Sequence, residues 1–435
     1  MVFNEPSPLE VKVVSRRFLL ENSASIDTYL ATDGYVAIKK VVQMTPAAIL
    51  DELKASGLRG RGGAGFPTGM KWSFVPLNTG KPTYIICNSD ESEPGTCKDR
   101  LLMENDPHQL LEGMMIAGFT IGSNKGYIYI RGEYRYLIPI VDKAIAEAYK
   151  HGYLGKNILG SGWDFDIYTH TGAGAYECGE ESALLESLEG KRGIPRLKPP
   201  FPAVVGAFQC PTILNNCETY SHVPAIFREG AAWYAGLGSP KNGGTRLMSV
   251  SGHVNKRGVY EMPMGFPLLR LIEEVCGGIR NGKKLKAVIP GGSSTPILRA
   301  DECDVGLDFD SLAKAKTMAG SGGPLILDQD TDIVRVALRT IKFYKHESCG
   351  WCIPCREGTT WLTKIMTRFH EGGGRTKDID LVYEIAKNML GRTFCPLGDA
   401  AAMPMIGFIE KFRPEFEEYL KKKAPGPAIP ELALA

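Results

Sequence analysis

Three cysteines within seven residues, Cys349-Gly-Trp-Cys352-Ile-Pro-Cys355, constrain this chain more than any other feature, together with a fourth in Phe394-Cys395-Pro396. A Cys-x2-Cys-x2-Cys run sets three thiolates on one short turn, and a later Cys-Pro supplies a fourth from a separate element. That is the pattern of a [4Fe–4S] site, and it obliges the fold to return position 395 to the turn at 349–355. Structural zinc usually takes two Cys-x2-Cys pairs or Cys/His pairs, which makes it the lesser alternative. Unligated buried thiols are a poorer account still, since chance rarely packs cysteines so densely. His346, upstream of Cys349, reads as a donor outside the ligand set or a surface residue and not as a ligand.

At 435 residues the chain exceeds the size at which one core keeps growing, so two to four domains are expected. A hydrophobic content of 43% with 23% charged residues describes an ordinary globular protein, and a formal net charge of +2 excludes a nucleic-acid platform. The eleven cysteines are odd in number and scattered through apolar runs such as Tyr84-Ile85-Ile86-Cys87, which speaks against a disulfide framework and for a reducing compartment. Ser15-Arg16-Arg17-Phe18-Leu19-Leu20 has the look of a twin-arginine signal, but Glu21-Asn22-Ser23 stands where an apolar stretch belongs. The expectation is a cytoplasmic chain. No run of eighteen or more apolar residues occurs, so any membrane attachment is expected through partners and not by direct insertion.

Residues 1–56 read as mostly helical, with Thr45 as N-cap, Pro46 in the first turn and Gly57 as the stop. From 57 to 240, apolar strand-like runs at 84–87, 126–130 and 165–169 alternate with helical stretches at 107–121, 136–151 and 180–189, which predicts an α/β domain. A linker-like Ser239-Pro-Lys-Asn-Gly-Gly244 precedes strand-like 245–251 and 258–261, a helical pattern over 267–276 and a strand at 285–289. Residues 245–330 therefore fit a small β-grasp module, with a plain structural insert as the alternative. Residues 331–435 are helical in period and carry all four cluster cysteines, predicting a helical bundle of three or four helices, and the proline-rich tail from Ala424 is expected to fray.

A second strong segment is Leu58-Arg59-Gly60-Arg61-Gly62-Gly63-Ala64-Gly65-Phe66-Pro67-Thr68-Gly69-Met70-Lys71-Trp72. Gly60, Gly62 and Gly65 match G-x-G-x-x-G, but a helix precedes them where a dinucleotide fold requires a strand. Dense glycine leaves a backbone free to turn several N–H groups toward an anion, with Arg59, Arg61 and Lys71 as available counter-charges. A phosphate-bearing ligand is expected, against a flexible surface loop. Further on, Asn88-Ser89-Asp90-Glu91-Ser92-Glu93 opens from an apolar strand, where acceptors suit ring N–H and sugar hydroxyls; a solvated turn is the alternative. Gly172-Ala-Gly174-Ala-Tyr176-Glu177-Cys178-Gly179-Glu180-Glu181 places carboxylates where a helix begins, which a plain cap also explains. Asn215-Asn216-Cys217-Glu218-Thr219 offers amides for a heterocycle or a phosphate.

At these residues, together with Cys395-Pro396-Leu397-Gly398-Asp399, the chain resembles the FMN- and NADH-binding flavoprotein subunit of respiratory complex I, NADH:quinone oxidoreductase, over nearly its whole length. The resemblance implies an α/β multidomain fold: a helical N-terminus at 1–56, a Rossmann-like FMN/NADH domain at 57–240, a β-grasp domain at 245–330 and a four-helix bundle with the iron–sulfur cluster at 331–435. It implies that Gly62, Gly63, Ala64, Gly65, Lys71, Asn88, Asp90, Tyr176, Gly179, Glu180, Asn215, Asn216 and Thr219 cradle FMN. By the same likeness Phe66, Phe74 and Phe201 stack on the adenine of NADH, while Glu93, Glu181 and Lys198 lie near its ribose or nicotinamide. Cys349, Cys352, Cys355 and Cys395 are the implied cluster ligands. The implied activity is hydride transfer from NADH to FMN, with single electrons passing to the cluster and on to partner clusters; no protein base is expected. Implied partners are a thioredoxin-like [2Fe–2S] subunit and a larger multi-cluster subunit, which would hold the chain on the cytoplasmic side of the inner membrane. The same module also serves as the diaphorase component of cytosolic NAD-linked hydrogenases and formate dehydrogenases, which is the alternative. The chain departs from the family at Glu177, usually apolar, at Ser89, usually Ala, and at Cys217, commonly Val.

Overall fold

The computed structural model describes residues 6–76 and 79–422; the proline-rich tail from Ala424 lies outside the described residues. The N-terminal region is less regular than its sequence predicts. Turns run to Ser25, and only the short helices Ile26–Ala31, Val36–Val41 and Pro46–Ala55 follow. The turns are held from outside: the amides of Val14 and Ser15 donate to the Glu261 carboxylate at 3.0 and 2.9 Å. Thr45 caps the third helix by accepting from Ala48, and Gly57, at φ +67°, lets the chain leave it in the left-handed region.

A four-stranded parallel sheet forms the first layer, with β1 (Tyr84–Ser89), β2 (Lys125–Ile130), β3 (Asp166–Thr171) and β4 (Thr212–Asn216) in the order β3-β2-β1-β4. Being covered on both faces, the central strand β1 reads as a continuous apolar run, Ile85-Ile86-Cys87. The helix Pro107–Ile121 packs on one face and is buried nearly all round. Asp106 caps it, Pro107 opens it, and Gly122 at φ +69° ends it.

The second sheet is mixed: β5 (Thr245–Gly252), β6 (Gly258–Pro263), β7 (Leu285–Ile289), β8 (Leu298–Arg299) and β9 (Leu325–Asp328), in the order β6-β5-β9-β7-β8. β5 and β9 run parallel, while the other pairs are antiparallel. Where the sequence predicts one helix over 267–276, the structure has a short α-helix Leu268–Arg270 followed by a π-turn Leu271–Val275. Gly277 and Gly278, both at positive φ, close the segment, and the amide of Gly278 bonds Ile272 O, so the last turn is widened. Four helices follow: Ile333–Glu347, Ile353–His370, Thr376–Met389 and Pro396–Lys422, the last kinked at Phe412 just before Pro414. Their core is continuous with the second sheet, because Ala287, Ile289 and Leu327 pack into the same cluster as Ile341, Met366 and Phe408.

One buried ion pair ties the N-terminal turns to the central helix. Arg17 Nη1 lies 2.8 Å from Asp106 Oδ2 and 2.8 Å from Gln109 Oε1, with both charged side chains sealed from solvent. Replacing Arg17 by Met leaves Asp106 buried without its cation. The expected loss is about 3–5 kcal/mol, read as an earlier first transition in urea denaturation.

Candidate functional site

The order of the first sheet sets the position of the site. From β1 the chain steps to β2 and β3 on one side, then returns to place β4 on the other. Loops leaving β1 and β4 therefore diverge, and a crevice opens at the carboxyl ends of these two strands. Pairing of Cys87 with Asn215 and of Asn88 with Asn216 brings the acidic lip and the amide pair out side by side. The glycine loop joins them, since a Cβ on Gly62 would stand 3.0 Å from Cβ of Asn216. The third polar segment arrives through Asn88, whose Nδ2 donates to Gly179 O at 2.9 Å. The three strand-end segments singled out in the sequence are thus joined to one another, and through Asn216 to the glycine loop.

Among the described residues, none of the amides of Gly62, Gly63, Ala64 and Gly65 donates to a protein acceptor, and a Cβ on Gly63 would meet nothing within 4 Å. Four successive free N–H groups beside open space suit a phosphate. The arginines are placed otherwise than as its counter-charges. Arg59 donates to Gly65 O, Asn242 and Asp310, while the buried Arg61 donates to Arg59 O and Gly243 O. Thr219 accepts from the Arg61 amide at 2.8 Å and so braces the loop from inside. Asn215 accepts from the Trp72 indole at 3.0 Å, and Asn216 caps the helix Cys217–Glu229 while donating to Asp99 at 2.7 Å. Asp90 has one buried carboxyl oxygen, Oδ2, without a hydrogen-bond partner. An unmet acceptor beside a free N–H array fits the ring N–H and hydroxyl donors of a flavin nucleotide.

Charges alternate at the mouth. Lys71 lies 3.1 Å from Glu181 and also donates to Leu214 O at 2.7 Å. Lys198 lies 2.7 Å from Glu180 and 3.5 Å from Glu181. Burial pushes the Glu181 carboxyl up, but Lys71 and Lys198 outweigh it and hold it below the usual range. Phe66, Phe74 and Phe201 are 45%, 53% and 58% exposed, and the first two rings stand 6.0 Å apart, as open faces for a planar ring would. Glu93 is enclosed: it accepts from the Ser294 amide at 2.7 Å, from Tyr176 OH at 2.8 Å and from Ser293 OH at 3.2 Å. Ser293 in turn shares a hydrogen bond with Tyr344. Sequence reasoning missed Ser293, Ser294 and Tyr344, and only the Gly291-Gly292-Ser293-Ser294 run hinted at a close approach.

The four cysteines line one pocket that is partly open to solvent, with Glu177, Ser348, Trp351 and Phe394 around them. Cys352 precedes the helix Ile353–His370 and Cys395 precedes the helix Pro396–Lys422, so two helix N-termini point their dipoles at the cage. All eleven cysteines are free thiols. Among the described residues no three His, Cys, Asp or Glu side chains group to hold a single metal ion, although four thiols share this pocket. Burial raises the Cys349 thiol and pushes Cys355 up to about 11, and burial with the Glu177 charge lifts Cys395 further. Loading therefore has to displace protons from the cage. Glu177, the departure noted in the sequence, accepts from Cys395 Sγ at 3.1 Å.

Burial pushes the Asp90 carboxyl up to about 7, against its hydrogen bond from Ser92 and the charge of Arg131. The folded state thus favours the proton, and that contribution is lost as pH rises through about 7. In the flavin-free chain, Asp90→Asn should gain melting temperature over the parent as pH goes from about 5 to about 9; a constant difference would contradict the assignment. Cys395→Ala should abolish bound iron in an elemental assay while leaving bound flavin unchanged, because Cys395 is not among the residues that line the crevice.

Comparison with known proteins agrees with this division. Residues 53–225 match the family model for the Nuo51 FMN-binding domain, residues 246–336 the SLBB domain, and residues 335–419 the NADH-ubiquinone oxidoreductase-F iron-sulfur binding region. The chain is 52% identical over 399 residues to the second F-type subunit of NADH-quinone oxidoreductase from Rhizobium meliloti (strain 1021), covering 92% of this chain and 95% of that one. It is 54% identical to the F-type subunit of NADH-quinone oxidoreductase from Rickettsia felis, covering 86% and 89%. A chain of an NAD+-reducing [NiFe]-hydrogenase, solved in the H2-reduced state, superposes with a TM-score of 0.81 at 34% identity, over 94% of this chain and 67% of that one. At this identity and coverage the chain belongs to the family of F-type subunits of NADH-quinone oxidoreductase.

Proposed function

We propose that the chain is the electron-input component of an NADH:quinone oxidoreductase, holding FMN and NADH in the crevice between β1 and β4 and a [4Fe–4S] cluster at Cys349, Cys352, Cys355 and Cys395. One observation carries this reading. Two consecutive residues touch the two sites: Tyr176 OH donates to Glu93 at the acidic lip, and Glu177 accepts from Cys395 at the cage. The Tyr176 amide also donates to Glu347, the last residue of the helix Ile333–Glu347, just ahead of Cys349. A nucleotide crevice and a thiolate cage separated by so little protein suit electron transfer between their occupants.

When bound, FMN supplies the exchange between a two-electron hydride and single electrons, and the cluster a one-electron relay. The protein binds and orients. The free amides of 62–65 take the phosphate, Asp90 presents an acceptor to the ring beside Asn88, and Phe66, Phe74 and Phe201 offer faces to the adenine. Glu93, near the ribose or nicotinamide and without a cation of its own among the described residues, sets negative charge in the crevice that repels the dinucleotide, weakens NAD+ binding and helps product leave. The residue groups at 57–240, 245–330 and 331–435 act as Rossmann-like flavin domain, β-grasp domain and cluster-bearing bundle; the three family matches support that layout.

The proposed partners are a thioredoxin-like [2Fe–2S] subunit and a larger multi-cluster subunit, with attachment to the inner membrane from the cytoplasmic side through them. Among the described residues no helix is long and apolar enough to cross a membrane. A second reading, the diaphorase component of a cytosolic hydrogenase or formate dehydrogenase, is favoured by the likeness to the hydrogenase chain.

An anaerobic visible spectrum of the protein with its partners should show flavin bands, over broad iron–sulfur absorbance, that bleach on one equivalent of NADH. Absence of both chromophores would sink the oxidoreductase reading. Glu93→Gln should tighten NAD+ product inhibition roughly threefold or more while flavin content stays unchanged; loss of FMN instead would count against the placement of Glu93.

A further inference from the structure

Side chains from the second sheet and its connections reach the glycine loop from behind. Arg59 Nε donates to Gly65 O at 2.6 Å, and its guanidinium lies 4.5 Å over the Phe309 ring. The same guanidinium reaches Asp310 at 3.1 Å, and Asn242 bonds Asp310 at 2.9 Å. Phe309 and Asp310 open the helix Phe309–Lys314, between β8 and β9. A Cβ on Gly65 would overlap the Phe309 ring, so the loop rests on that ring at a residue whose φ is +65°. At the other end of the loop Arg246, on β5 and fully buried, donates to Arg61 O at 3.4 Å, to Ala319 O at 3.1 Å and to Gly320 O. Its guanidinium lies 5.4 Å from the Phe309 ring. The loop is therefore gripped at Arg61 and at Gly65, and the free amides lie between the grips.

Such gripping has a physical purpose. Glycine-rich backbone loses the most conformational freedom on being fixed, so a free loop binds an anion weakly, whereas a loop already held in place costs little to order. We propose that Phe309, Asp310 and Arg246 are positioning residues that pre-form the phosphate-binding loop, so that the second sheet's domain governs how tightly the flavin domain retains FMN. This rests on the FMN reading of the crevice. Asp310 makes the sharper test, because its side chain is half exposed and an exposed ion pair adds little to folding stability.

The experiment uses the purified holoprotein with its partners and follows FMN release by flavin fluorescence on dilution into flavin-free buffer. Asp310→Ala should release FMN about threefold faster and Phe309→Ala about tenfold faster. Phe309→Tyr, which keeps the ring over Gly65 and under Arg59, should restore retention. The cluster spectrum per protein should not change, and the melting temperature of Asp310→Ala should match the parent. Parent-like release from both alanine variants would overturn the proposal, as would faster release that only tracks a fallen melting temperature. A parent protein without flavin would instead overturn the FMN reading, and this inference with it.

Discussion

The parallel pairing of β1 with β4 is the constraint on which the rest depends. It joins strands more than a hundred residues apart in the chain, and it alone brings Asn88 and Asp90 next to Asn215 and Asn216. Both faces of β1 are apolar and buried, so the register is held by the step from the apolar run Ile85-Ile86-Cys87 to the polar residues that follow it, which a slip of one residue would move off their partners on β4. Everything else at the crevice hangs from that register: the glycine loop through Gly62 against Asn216, and the third segment through Asn88 to Gly179 O.

Beneath the crevice lies a set of buried charges. Lys98 lies 2.7 Å from Glu218 and 3.0 Å from Asp99; Glu218 also accepts from the Leu247 amide of β5, and Asp99 from Asn216. Burial alone would lower Lys98, but Asp99, Glu218 and Glu91 outweigh it and hold the amine charged. Burial alone would raise Glu218, but Lys98 and His222 hold it well below the carboxylate range. Desolvation makes such a network a poor source of net stability. Its value is specificity: each member has one arrangement that leaves no charge alone, and that arrangement fixes the helix Lys98–Asn105, the helix Cys217–Glu229 and β5 relative to one another. The loops that form the crevice inherit that rigidity.

The cysteine cage follows the same logic on the far side of the segment Tyr176–Gly179. Its turn at 349–355 hangs between two helices, and its fourth thiol begins a third. The bundle core shared with β7 and β9 sets those helix ends against the segment Tyr176–Gly179, which is why Glu177 touches Cys395. Nucleotide crevice and cage are close because one short segment packs against both.

Local chemistry was legible in the sequence wherever neighbours along the chain carry it. The cysteine spacing, the glycine density, the capping of the helix Pro46–Ala55 by Thr45 and the apolar run of β1 all follow from residues within a few positions of one another. The polar segments could also be placed at strand ends from the sequence, since turn residues follow apolar runs there. The irregular N-terminus was not legible, because its turns are stabilised by Glu261 and Asp106, distant in the chain. Nor was the use of Arg59 and Arg61: a charge in a glycine loop reads as a ligand for an anion until Asp310, Gly243 and Phe309 arrive to claim it. The enclosure of Glu93 by Ser293 and Ser294 belongs to the same class. Residue types and short spacings thus determined which chemistry this protein carries, because ligand sets and backbone freedom are local properties. Tertiary structure alone decided which charges face the ligand and which are spent inside, because those partners are chosen by long-range packing.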